Sequence, residues 1–262
     1  MRSSLRAVLL AFAVAVLAAC STLVPAPSGP TPTPAAAHAA WARVLADFVD
    51  PRGEVDFEAL LHRRTDLDSY LRYVAVTPLD NLRDGPERLA HMINAYNALS
   101  MFKVIESGIP ATHAGWRKVV FFVLRKVEVG GRSMSLYGFE NDVIRPYARS
   151  RADPRVHFAL NCSALSCPVL PRVPFTPESL DDELDRETRA FFARRENFRI
   201  DEADRTVWLS EILDFYPEDF VPVPAASVLE YANRYAPTPA PTAFEVRYTP
   251  YDWTIANSRR AR

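Results

Sequence analysis

The spacing of apolar positions divides the chain into a helical first half and a strand-bearing second half. From Ala39 to Val49 the residues Trp41, Val44, Leu45 and Phe48 fall at helical intervals. Leu60 and Leu61 follow a capping Asp56, and Leu67, Tyr70, Leu71 and Val74 mark the next helical face. The longest helix is predicted from Pro86 to Glu106, with proline in its first turn and Gly108 and Pro110 beyond its end. The period then changes. Val119–Leu124 is rich in β-branched and aromatic residues, Lys126–Val129 alternates, and Gly130-Gly131 signals a turn, so residues 119–134 are read as hairpin strands. Ser135 is placed to cap a short helix over Leu136–Ile144. Val156–Leu160 reads as a strand, a helix is predicted from Thr176-Pro177 through Phe192, and strands at 198–200, 205–209 and 244–248 flank short helices capped by Ser210 and Ser227. Helices lead and short strands cluster later. The expected fold is α+β, a helix-rich single domain packed on a small, mainly antiparallel sheet.

The first twenty residues have a different character. Arg2 and Arg6 precede thirteen residues, Ala7–Ala19, without a polar side chain, and the run closes on Ala18-Ala19-Cys20-Ser21. That run is shorter than the ~20 apolar residues needed to span a bilayer and fits a cleaved signal. Its end resembles a bacterial lipobox, which implies a diacylated Cys20 as the mature N-terminus; Ser rather than Asp at position 21 implies sorting to the outer membrane, facing the periplasm. Residues 21–37, with five prolines among Ala, Ser, Thr and Gly from Thr22 onward, are expected to be a tether, and residues 38–262 the single domain. The expected partners are the lipid bilayer, through acylated Cys20, and a small molecule, peptide or envelope protein. With 31 basic against 32 acidic residues, the net charge of -1 offers no footprint for nucleic acid.

Export changes the meaning of the cysteines. Once Cys20 is acylated, Cys162 and Cys167 are the remaining thiols in an oxidising space, where a pair commonly closes a disulfide. Three readings follow: a Cys162–Cys167 bridge stapling a short loop, a thiolate nucleophile activated by His157 with Asn161 orienting a group, or a metal site. The last lacks a fourth ligand at recognisable spacing, so neither metal nor cofactor is expected. If 156–160 is a strand, His157 and Asn161 share one face and project into one cleft. Asn94, one helical turn before Asn97, is a candidate donor to a developing oxyanion, set against the plainer reading that both asparagines buttress neighbouring loops. Glu140 and Arg145 sit among Leu136, Phe139, Val143 and Ile144, where a buried carboxylate must find a cation or shift its pKa. The acidic and aromatic run 210–220 reads as a capped helix with an aromatic anchor.

Five blocks in order resemble the domain-of-unknown-function 547 family: Ile93–Leu99; Ser135 through Glu140 and Arg145; Asp153–Pro168 with His157, Asn161, Cys162 and Cys167; Leu209 through Tyr216 and Asp219-Phe220; and Tyr251-Asp252-Trp253 with Asn257. They span about 89–257. His91-Met92 stands where the family usually has an aromatic pair, and Phe215 where it more often has Trp; both departures touch packing more than chemistry. The resemblance implies a shared fold and pocket without implying a reaction. Eukaryotic members are fused to glutaredoxin-like modules, a pointer to thiol or glutathione chemistry. The sequence thus leads to two expectations: thiol-dependent transfer or hydrolysis in a pocket around His157, or a non-catalytic binding or scaffold module with a structural bridge.

Overall fold

The computed structural model describes residues 22–259. Cys20 and the apolar run before it lie outside the described residues. Helices α1 (Pro34–Phe48), α2 (Phe57–His62), α3 (Thr65–Val76) and α4 (Pro86–Glu106) build the first half. Next come α5 (Trp116–Val119), the hairpin β1 (Lys126–Val129) and β2 (Arg132–Ser135), α6 (Leu136–Gly138) and α7 (Arg145–Arg149). The remainder holds α8 (Leu180–Ala193), β3 (Phe198–Asp201), β4 (Thr206–Ser210), α9 (Ile212–Phe215), α10 (Pro217–Phe220), α11 (Val228–Asn233) and β5 (Glu245–Thr249). β1 and β2 pair antiparallel; in the second sheet β3 and β4 are antiparallel, and β4 and β5 parallel. The fold is α+β, helix-rich around small sheets.

Helix α4 organises the molecule. Every residue from Leu89 to Ile105 is buried, polar ones included, so it is a central rather than a surface helix. Its boundaries agree with the sequence: Gly85, at φ 100, turns the chain into Pro86. Around it one apolar core gathers α1, α3 and the hairpin, while a second gathers α8, β4 and α11. The segment Pro154–Phe158 stands between them, with Val156, Ala159 and Leu160 in the first core and Phe158 in the second. That two-sided anchoring fixes the loop that follows.

Four local expectations are corrected. Residues 119–124 are helical: α5 continues into a wider π turn over Val120–Leu124. Buried Lys103 on α4 explains the outcome, because its Nζ donates to the carbonyls of Phe121 and Arg125 and so satisfies the end of that turn. Residues 154–158 form a 3₁₀ helix, not a strand, started by Pro154 and by the Asp153 side chain accepting from the Arg155 amide. α8 begins at Leu180, where Glu183 turns back to accept from the Thr176 amide and the Ser179 hydroxyl. The stretch expected as a tether packs on the domain: Val24 is buried, its amide donates to the Lys126 carbonyl (2.8 Å), and the Lys126 amide to that of Thr22 (3.0 Å). α1 then starts at Pro34, capped by Thr33.

Candidate functional site

The 3₁₀ turn sends the chain from His157 into the buried loop 161–168, and α4 holds that loop from beneath. The Asn161 amide donates to Asn97 Oδ1 (2.8 Å), and Asn97 Nδ2 donates to the Ala159 carbonyl (3.0 Å). Asn161 closes the loop from within: its Nδ2 donates to the Pro168 carbonyl (2.7 Å) and its Oδ1 accepts from the Ser163 amide (2.7 Å). Ser163 is left-handed at φ 67, a conformation that costs a non-glycine residue on the order of 1 kcal/mol and is held here by surrounding bonds. One of these joins its hydroxyl to that of Ser100 on α4 (3.0 Å). Burial pushes His113 down to about 4, so it is neutral near pH 7, and its Nε2 lies 3.0 Å from the Cys162 carbonyl.

This frame sets Cys162 and Cys167, both buried with free thiols, with their sulfurs 2.7 Å apart. Cys167 Sγ accepts from the Cys162 amide (3.1 Å) and from the Tyr251 hydroxyl (3.1 Å). Burial pushes the Cys167 thiol up. Hydrogen bonds from the Cys162 thiol, the Tyr251 hydroxyl and the amides of Ala164 and Cys162 outweigh that effect and leave it below its ordinary value. Cys162 moves the opposite way, raised by donating to Cys167 and by burial. Of the two thiols, Cys167 is therefore the one whose ionisation the surroundings favour.

Both sulfurs line a small cavity of about 70 Å³ together with His157, Glu140, Tyr96, Tyr216 and Tyr251, and with Phe122, Phe215 and Trp253 among its apolar walls. His157 is buried, stacked on Tyr216 at 4.8 Å, and its Nε2 lies 2.7 Å from Asp219 Oδ2. Burial alone would raise the Asp219 carboxyl, but hydrogen bonds to His157, Arg145 and Arg149 hold it well below the usual carboxylate range. Arg145 binds Asp219 through Nε (2.7 Å), Glu218 through Nη2 (2.6 Å) and Asn141 through Nη1 (2.6 Å), and lies 3.9 Å over the Tyr216 ring. Arg149 also pairs with Asp219. Glu140 is partnered by hydroxyls instead of a cation: Tyr96 donates to Oε2 (2.6 Å) and Tyr216 to Oε1 (2.9 Å). Burial, and then the neighbouring carboxylate, raise both phenols above their ordinary values, so they remain donors.

The structure therefore brings His157, Cys162, Cys167 and Glu140 to one cavity and sets Arg145 behind its wall, bonded to the carboxylate that orients His157. Asn161 braces the thiol loop. Asn94 is separate. Its Oδ1 accepts from Trp41 Nε1 (3.0 Å) and the Phe175 amide (3.1 Å), and its Nδ2 donates to the Phe175 carbonyl (2.8 Å), so its bonds tie α1 and the 175 loop to α4. Its candidacy as an oxyanion donor is corrected to that of a strut. Four site members went unrecognised in the sequence: Asp219, Tyr216, Tyr251 and Tyr96. The first two lie three residues apart in a run read as a capped helix and aromatic anchor, and Tyr251 is 84 residues from Cys167. Their presence in the shared blocks was the available signal. Among the described residues no group of three His, Cys, Asp or Glu is placed to hold a metal, and no helix is long and apolar enough to cross a membrane.

A much larger cavity, about 910 Å³, lies elsewhere, between α1, α3, the start of α4 and residues 174–178. His91 forms part of its wall; both ring nitrogens are buried without a hydrogen-bond partner, and burial pushes the ring down to about 4. Volume and chemistry point to different places. The chemical groups converge on the small cavity, and we place the candidate site there.

Comparison with curated proteins and with solved structures gives no match. One family model matches residues 79–192, a span containing α4, Glu140, Arg145 and the whole His157–Cys167 loop but ending before Asp219 and Tyr251. Through those residues the chain is similar to the family described as "Protein of unknown function, DUF547".

Proposed function

We propose that this chain is an envelope lipoprotein, anchored by acylated Cys20 in the outer membrane facing the periplasm, whose domain performs thiol-dependent transfer or hydrolysis with Cys167 as nucleophile. One observation carries the reading: Cys167 Sγ receives the Tyr251 hydroxyl and the Cys162 amide at 3.1 Å each, and those bonds favour the thiolate. The Cys167 sulfur adds to an activated acyl carbonyl, the leaving group departs, and a thioester remains. Water or another acceptor then attacks the thioester and restores the thiol. His157, oriented by Asp219 as a base is oriented in a nucleophile–base–orienter triad, takes the proton from the attacking group. A Cys162–Cys167 disulfide would switch the site off.

The test uses the full chain, reduced, with p-nitrophenyl acetate as a small activated acyl donor. A burst of p-nitrophenolate with an acetyl group on Cys167 is expected. Cys167→Ser abolishes the burst, while His157→Gln leaves acylation and slows turnover by about 10²-fold or more. An acetyl group elsewhere, or a burst unchanged in Cys167→Ser, contradicts the proposal. The large cavity with unpartnered His91 favours a second reading, a non-catalytic binding module with Cys162–Cys167 as a structural bridge. It predicts that the protein isolated without reductant is two hydrogens lighter and that reduction releases no burst.

A further inference from the structure

The packing of residues 22–24 fixes how an anchored domain would sit. Ser21 alone separates Cys20 from Thr22, whose carbonyl accepts from the Lys126 amide; a chain step is about 3.8 Å, so the two Cα atoms lie within about 8 Å. Leu23 is paired with Lys126 and remains 46% exposed, while its neighbour Val24 turns into the core. We infer that the surface formed by Thr22-Leu23 and the helical segment Trp116–Leu124 lies directly on the lipid bilayer. This rests on the acylation of Cys20 proposed above.

Side-chain chemistry supports the same surface. Leu23, Trp116, Val123 and Tyr137 are four of the nine exposed large apolar residues among the described residues, and Tyr137 belongs to α6, which packs on the π turn of this segment. Trp116 and Val123 are seven residues apart, about two helical turns, with half-buried Val119 and Val120 between them. Trp and Tyr beside Arg and Lys is the composition of a surface seated at headgroup depth. No Asp or Glu occurs from Ser107 to Val127 or from Thr22 to Ala46, whereas Arg117, Lys118, Arg125 and Lys126 do. Arg117, Lys118 and Lys126 have no ion-pair partner among the described residues; Lys118 instead lies 4.3 Å over the Trp253 ring. The near-zero net charge conceals this local excess, which complements anionic headgroups. Phe122, on the same segment, lines the thiol cavity, so the docked surface adjoins the candidate site.

The test places the mature, acylated full chain on vesicles of phosphatidylethanolamine and phosphatidylglycerol with brominated acyl chains, followed by flotation and tryptophan emission. The chain is expected to float with a loss of emission that Trp116→Phe removes. Exchanging both Arg117 and Lys118 for Glu is expected to reduce that loss while the chain still floats. Flotation with quenching unchanged in Trp116→Phe overturns the docked surface and leaves the anchor standing. A chain without acyl groups that does not float overturns both.

Discussion

Two cavities of this domain are opposites. The small one, about 70 Å³, is lined by side chains none of which leaves a fully buried nitrogen or oxygen unpartnered. The large one, about 910 Å³, has in its wall a histidine whose two nitrogens bond to nothing. Buried polar groups that are all satisfied hold one geometry, which is what positioned chemistry requires. A large void with an unsatisfied ring fixes little. Volume is therefore a poor guide here, and the ordered network is the better one.

The comparison breaks most severely at Asp219. Asp219→Ala leaves Arg145 short of a buried partner and frees His157, and the expected loss is about 3–5 kcal/mol in urea unfolding, with the burst gone. A loss below about 1 kcal/mol would mean the network does not hold the cavity together.

His91 sharpens the contrast through pH. Its folded value is depressed to about 4 against an ordinary 6.5, so the unfolded chain binds more protons between those values. Its contribution is fully present above pH 6.5 and is lost as pH falls toward 4, by about 3 kcal/mol in all. His91→Leu should remove that part of the acid slope in unfolding experiments and leave the burst unchanged. His113, likewise near 4, contributes a second acid-sensitive component that persists in this variant.

Asn94→Ala is expected to cost about 1–3 kcal/mol of stability by orphaning the Trp41 and Phe175 groups, with thiol reactivity retained. A selective loss of acylation would restore Asn94 to the site. The smallest effect belongs to Tyr251→Phe, which removes one hydrogen bond to Cys167, worth about 1.5 kcal/mol, and should raise the pKa of that thiol.

Much of this was legible in the sequence, and the failures have physical causes. The α4 boundaries could be read because Pro86 and the Gly108 and Pro110 signals are local. The hairpin followed equally from Gly130-Gly131. Residues 119–124 misled because Val and Phe favour strands, while the deciding interaction comes from Lys103, sixteen or more residues earlier and buried. His157 was singled out by residue type but was placed on a strand, since a five-residue 3₁₀ helix leaves no periodicity to detect. Its partner Asp219 is 62 residues away, and the Tyr251 hydroxyl reaches Cys167 from the C-terminal segment. Such pairings exist only once the two cores close around the central loop.

The central claim, a stabilised thiolate at Cys167, is tested most directly by titrating thiolate absorbance near 240 nm in the reduced protein, since this requires no reagent to enter the cavity. A transition below the ordinary value of 9.0, absent in Cys167→Ser, is the predicted result. No thiolate until pH 9 or above, or a low transition that survives in Cys167→Ser, would contradict it.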